Sequence, residues 1–298
     1  MKILVSYRGI PQSPGWATGD MVVKALRALG HEVYPYAKYY QQNRWVEGRP
    51  MLDDHEWDLI LFMECNDGDP QYHELKITRA RKIVCWLFDT SYQADQYRKL
   101  VEYFRFDHLF LANPLTIQQY KVWGYQNVNY LPYACDRELH GRPLEHPKVR
   151  DVALVGSIRD DRRALANEFN KNGMKLELIG DVFREEYIDT LASSRIVINQ
   201  NPQQGRGLLN MRWFETAAAG SIIIGEAVDL AANDIFCFGE AHQYNSINGL
   251  VELCKTYLSH QETQDWLRST THRNAHALHT YEERCKQMLT TLFPHEKN

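Results

Sequence analysis

The 298-residue sequence has no run of apolar residues long enough to cross a bilayer, which excludes a membrane-spanning helix as its organising element. It has no CxxC pair and no short Cys/His spacing. Its six cysteines, Cys65, Cys85, Cys135, Cys237, Cys254 and Cys285, lie too far apart in sequence to assemble a zinc site by any such spacing, and are expected as reduced, mostly buried thiols. Strong charge of either sign is missing too: 34 Lys and Arg against 38 Asp and Glu leave a formal charge of -4 and no global attraction for nucleic acid or acidic lipid. A local basic cluster (Lys76, Arg79, Arg81, Lys82) reads first as a solvated surface. The basic flank and small-residue cleavage site of a secretory leader are lacking, since MKILVSY enters a strand-like run at once; a cytoplasmic location is expected. Short internal repeats and low-complexity tracts are also lacking.

What is present is the composition of a globular protein, 44% hydrophobic and 24% charged, with length enough for two domains. Apolar runs at 2–7, 33–36, 58–63, 82–88, 108–112 and 128–131 predict strands, with a loop containing Gly9 to Gly19 and a helix from Asp20 to Leu29 after the first. A polar stretch with Pro143 and Pro147 interrupts the pattern, which then restarts: strands at 151–155, 175–179, 195–199 and 221–225 alternate with helices at 162–172, 184–193 and 210–219. From Ile247 onward the chain reads as helical, ending in a helix over 281–292. Strand–helix alternation in both halves predicts an α/β protein with two Rossmann-like domains whose parallel sheets face an interdomain cleft. The expected division is residues 1–142 as the first domain, 146–279 as the second, and 280–298 as a helix and tail that could pack back on the first.

In such sheets, ligands bind beyond the carboxyl ends of the strands. The most informative stretch is NQNPQQGRGLLNMRWFETAAAGSIIIGE, residues 199–226. A helix starting near Asn210 would offer unpaired N–H groups to a phosphate. Arg212 and Glu215 share a face of that helix; the guanidinium suits a diphosphate and the carboxylate suits the two hydroxyls of a ribose. An ordinary helix with a surface Arg/Glu pair fits the same pattern. Asp89, just after the strand ending at Phe88, is placed to orient or deprotonate an acceptor hydroxyl, or to cap the next helix. The Asp67-Gly68-Asp69 spacing fits a metal and diphosphate site, but its polar context reads better as a turn. His272, His276 and His279 lie at helical spacing and read as a partly exposed helix face rather than a metal site.

The residues Asn210, Arg212, Phe214, Glu215, Ala218 and Gly220 resemble the N-x-R-x-F-E-x-x-A-x-G signature of CgeB-like proteins within the group-1 glycosyltransferases. DVALVGSIRDDRRAL, YIDTLASSRIVINQ, HTYEERCKQML, WLFDTSY, FDHLFLAN, YLPYACD and PGWATGDMVVKALRALGHEV resemble further segments of those proteins. The resemblance implies GT-B architecture, with an acceptor side in the first domain and a nucleotide-sugar donor side in the second. It implies that Glu215 contacts the donor ribose, that Arg212, with Asn210 nearby, contacts the diphosphate, and that Gly156 and Ser157 form the tight turn against the donor. Arg162 would add positive charge against the leaving diphosphate, with Arg159 and Arg163 as rivals, and Gly19 would belong to a phosphate or acceptor loop, a plain turn glycine being the alternative. Arg212 and Asp89 are the implied catalytic residues. Expected, then, is transfer from a nucleotide-diphosphate donor, a UDP-sugar first, to a hydroxyl acceptor, with retention and without cofactor or bound metal. Gly207 stands where many group-1 enzymes carry a glutamate, eight residues before Glu215, which keeps open a sugar-nucleotide-binding protein without transferase activity. A modified nucleic-acid base as acceptor is a further, less favoured alternative.

Overall fold

The computed structural model describes residues 1–9, 15–39, 56–63, 79–88, 90, 97–99, 106–201, 209–227 and 242–295. The calls at Asp67-Gly68-Asp69, Lys76, Asp89, Gly207, Cys65 and Cys237 lie outside them. The chain divides into two compact units, Met1–Pro132 with Tyr281–Asn298, and Tyr133–Thr280. Among the described residues no helix is long and apolar enough to cross a membrane.

Unit 1 begins with β1 (Lys2–Gly9), α1 (Thr18–Ala28) and β2 (Glu32–Tyr39). It continues with β3 (Trp57–Met63), β4 (Ala80–Leu87), β5 (His108–Leu111), α2 (Ile117–Val122) and β6 (Val128–Tyr130). The six strands form one parallel sheet in the order β2-β1-β3-β4-β5-β6. β2 runs past the four residues expected for it and includes Pro35, opposite Val5; it lies at the sheet edge, where a missing N–H costs least. α1 also starts earlier than expected, so Gly19 lies in its first turn rather than in the preceding loop. A Cβ on Gly19 would stand 2.0 Å from Tyr7 Cγ, so close packing on the Tyr7 ring is what demands glycine here. The Tyr7 hydroxyl donates to Asp20 Oδ1 at 2.5 Å, while Asp20 Oδ2 accepts from the N–H groups of Gly15 and Ala17.

Unit 2 contains α3 (Arg137–His140), β7 (Arg150–Val155), α4 (Asp160–Lys171), β8 (Glu177–Ile179), α5 (Arg184–Ala192) and β9 (Ser194–Asn199). These are followed by α6 (Met211–Ala218), β10 (Ile222–Glu226), β11 (Gln243–Tyr244), α7 (Ile247–Ser259) and α8 (Gln261–Leu278). Its parallel sheet has the order β11-β10-β9-β7-β8. Val152 to Val155 and Ile196 to Ile198 are fully buried, as expected of strands covered by helices on both faces. Residues 133–142, assigned from sequence to the first domain, lie in unit 2, where the Cys135 N–H donates to His279 O and α3 packs against α5 and α6. The last helix, α9 (Tyr281–Leu292), belongs to unit 1, packing on α1 and setting Tyr281 edge-on to Trp86. Both sheets change winding direction within themselves, at β1/β3 and at β7/β9; the crevice at such a switch point is where open α/β sheets take ligands.

The carboxyl end of α6 is tied down from three sides. Lys148 Nζ donates to Ala192 O, Gly220 O and Ser221 Oγ at 2.6, 2.8 and 2.9 Å. Arg268 Nε donates to Gly220 O, and His276 Nε2 to Ala218 O at 3.2 Å. His272 Nε2 donates to Arg142 O at 3.0 Å, and the two imidazoles touch, with ring centroids 4.4 Å apart. A carbonyl can only accept, so each ring carries its proton on Nε2. Burial lowers the pKa of both imidazoles; each is also lowered by a neighbouring charge, His276 acting on His272 and Arg137 on His276. Below their ordinary value of 6.5 the unfolded chain therefore binds protons that the folded unit resists, and stability falls as pH falls. Urea unfolding of the wild type is expected to show a midpoint that drops between pH 7.5 and pH 5.5, and His272→Gln with His276→Gln should flatten that dependence.

Candidate active site

The site is built where β7 and β9 end. Beyond β7 the chain turns at Gly156, whose φ of +124° lies in a region side-chain-bearing residues rarely adopt. Its N–H donates to Ile179 O at the end of β8. A Cβ on Gly156 would stand 3.2 Å from Arg162 Nη1 and 3.3 and 3.4 Å from Arg212 Nη2 and Nη1. Two guanidinium groups thus converge on one backbone position.

Arg162, on the first turn of α4, is only 4% exposed. Its Nη1 donates to Ser157 O at 2.8 Å and its Nη2 to Gln200 O at 3.1 Å, joining the loop after β7 to the loop after β9. Its buried Nε has no partner among the described residues. Burial, then the like charges of Arg159 and Arg212, pull its pKa down to about 10. Asp161 offsets this only in part, its carboxylate being engaged in a two-pronged pair with Arg159 at 2.9 and 3.1 Å. Arg212 is held differently: its Nε donates to the Tyr187 hydroxyl at 3.2 Å, and its guanidinium lies 5.6 Å from the centre of the Tyr187 ring. Burial opposes the Arg212 charge, but Tyr187 and Glu215 outweigh it and the pKa is raised. The Tyr187 hydroxyl donates to Glu215 Oε2 at 2.6 Å. Burial, above all, raises the Tyr187 pKa, so the phenol keeps its proton. The other carboxylate oxygen of Glu215 lies 3.7 Å from His140 Nε2, and His140 Nδ1 accepts the Asp136 N–H at 2.8 Å.

The amino end of α6 is capped from within. Asn210 Oδ1 accepts from the Arg212 N–H at 3.1 Å, and its Nδ2 donates to Asn199 Oδ1 and Asn201 Oδ1. Part of the helix terminus expected to face a phosphate is therefore occupied by its own cap, and the cationic groups nearest the Gly156 turn are the two guanidiniums. Trp213 locks the helix on the sheet, for a Cβ on Gly225 of β10 would stand 2.2 Å from its ring.

With this geometry in hand, comparison with known proteins is decisive for the family. The model of the glycosyl transferase-like family matches residues 137–290, just over half of the chain. The chain belongs to the glycosyl transferase-like family. Solved glycosyltransferases share the fold across nearly the whole chain. Sucrose-phosphate synthase from Thermosynechococcus elongatus is 12% identical with a TM-score of 0.63, covering 99% of this chain and 100% of that one. Anabaena HepE in complex with UDP is 11% identical with a TM-score of 0.60, covering 98% and 99%. T4 phage BGT in complex with its UDP-glucose substrate is 11% identical with a TM-score of 0.59, covering 98% and 100%. No curated protein matches the chain in a sequence search. The fold is GT-B, two α/β units each built on a parallel sheet, and the protein is a glycosyltransferase.

Of the residues singled out in this glycosyltransferase from sequence, Gly156, Ser157, Arg162, Asn210, Arg212 and Glu215 gather at the carboxyl ends of β7 and β9. Ser157 contributes its carbonyl to Arg162, and Asn210 acts as a cap. Arg159 is engaged by Asp161. Gly19 lies in unit 1 on α1. Tyr187 and His140 were not foreseen as site residues: Tyr187 opens the family-like segment YIDTLASSRIVINQ but was given no role, and it lies 28 residues from the carboxylate it bonds. Gly156→Ala would combine backbone strain with a Cβ pressed on two cations. Its thermal midpoint is expected to fall, by an amount corresponding to about 1–3 kcal/mol, as read by calorimetry.

Proposed function

We propose that this chain transfers a sugar from a nucleoside diphosphate, a UDP-sugar first, to a hydroxyl acceptor, and that it is a CgeB-like member of its family. The observation that carries the reading is the pair of guanidiniums at Gly156, neither in a salt bridge among the described residues. Two guanidiniums this close, offset only in part by Asp161 and Glu215, repel each other, and a diphosphate would relieve that repulsion with charge-assisted hydrogen bonds. Glu215 on the same helix face supplies the acceptor for ribose hydroxyls. HepE with UDP and BGT with UDP-glucose, which share the fold, support this choice of donor.

In this reading the bond between the anomeric carbon and the diphosphate oxygen breaks as the acceptor oxygen bonds to the same carbon. The negative charge that grows on the leaving diphosphate is met by Arg162 and Arg212, positioned before the reaction begins. The acceptor proton passes to a diphosphate oxygen on the face from which it departs, so the anomeric configuration is retained. The arginines supply the positive charge that a bound metal provides elsewhere, and no metal is required. Asp89 is kept as the proposed group that orients the acceptor hydroxyl.

The test is a mass-spectrometric screen of the purified protein against sugar nucleotides and hydroxyl acceptors, following release of nucleoside diphosphate. UDP-sugars are expected to turn over, with turnover unchanged by EDTA. Arg212→Ala should lower kcat/KM roughly 100- to 1,000-fold, the range for losing a donor to a developing anion. Glu215→Ala should chiefly raise the donor KM. Normal donor kinetics in both folded variants would refute the site, and a product of inverted configuration would refute the same-face proton transfer.

A further inference from the structure

We infer that Tyr187 is a positioning residue that couples recognition of the diphosphate to recognition of the ribose. This rests on the donor site proposed above and adds a residue whose role comes from the geometry alone. Arg212 Nε can only donate, so at 3.2 Å the Tyr187 oxygen is the acceptor. The single phenolic proton is then directed to Glu215 Oε2 at 2.6 Å. The three side chains form a chain of hydrogen bonds with one polarity, Arg212 to Tyr187 to Glu215, in which each bond polarises the next. Burial keeps the phenol protonated, so the polarity does not lapse near neutral pH.

The bond to Nε also selects a rotamer. With Nε turned to Tyr187, both terminal nitrogens of Arg212 lie within 3.4 Å of where a Cβ on Gly156 would be, beside Arg162 Nη1. At the other end, Tyr187 takes up one lone pair of Glu215 Oε2 and fixes the carboxylate plane. His140 Nε2 lies 3.7 Å from the other oxygen, Oε1. The lone pairs left over are the ones that hydroxyls of a ribose would meet. Filling either end of the chain therefore tightens the other, and the site responds to a nucleoside diphosphate as one object rather than to its phosphate and sugar parts separately.

The experiment is a double-mutant cycle on UDP binding by titration calorimetry. Arg212→Lys, Glu215→Gln and their combination are measured in the wild type and again with Tyr187→Phe, which keeps the ring under the guanidinium and removes only the hydroxyl. Thermal unfolding accompanies each variant to establish that it is folded. Tyr187→Phe is expected to weaken UDP binding about tenfold, the order expected for losing hydrogen bonds to charged groups. In the wild type the Arg212→Lys and Glu215→Gln losses should be non-additive by about fivefold or more, and with Tyr187→Phe they should multiply independently. A structural role filled by the ring alone would leave Tyr187→Phe at wild-type affinity, and that result overturns the inference, as does non-additivity that survives in Tyr187→Phe. Wild-type protein that binds no UDP would sink the donor site and this inference together; binding with an unchanged cycle would sink only the coupling.

Discussion

Two positive charges held against one glycine are the constraint around which unit 2 is organised. Arg162 and Arg212 approach the same turn at the end of β7, and Arg162 feels Arg212 as a repulsive neighbour. Such an arrangement survives because neither side chain is left to choose its own position. Strand-end carbonyls of Ser157 and Gln200 grip one guanidinium, and the Tyr187 hydroxyl grips the other. Glycine at 156 is a steric necessity of this crowding as much as a backbone one, since its φ and its lack of a side chain are both used.

The fold supplies what the cations need. A parallel sheet delivers every strand's carboxyl end to the same edge, so β7, β8 and β9 present their following loops side by side. The switch of winding between β7 and β9 opens the space between those loops. α6 then sets Arg212 and Glu215 at that edge while its far end is fastened by Lys148, Arg268 and His276. Alanines 217 to 219 are fully buried, which lets the helix lie close to the sheet. Rigidity at the far end of a short helix becomes precision at its functional end.

Much of this was legible in the sequence because parallel α/β architecture is written in local pattern. Apolar runs of five or six residues such as DVALV and RIVIN, separated by helical segments, place both sheets with few errors. Where the boundaries moved, long-range geometry decided: β2 extends through Pro35 because it is an edge strand, and α1 absorbs Gly19 because Tyr7 packs there. In the candidate site, Arg212 and Glu215 were legible because three-residue spacing on one helix is a local fact. Tyr187 and His140 were not, because they arrive from α5 and α3 and meet Glu215 only after packing. Asn210 illustrates a subtler loss: its position was foreseen, but a side chain that caps its own helix and bonds Asn199 and Asn201 is a three-dimensional choice. Ser157 matters through a carbonyl, which every residue type possesses, so its identity carries no signal for that role.

The placement of α9 bears on how the chain matures. Unit 1 is assembled from residues on both sides of unit 2, and Tyr281 lies against Trp86 in its interior. A ribosome makes the strands of that unit first but its closing helix only after all of unit 2 has emerged. The second unit thus has every residue of its core before the first one does, and the earliest-made strands must wait, with an apolar face uncovered, for a late arrival. Chain order thus leaves unit 1 without its closing helix until unit 2 is complete.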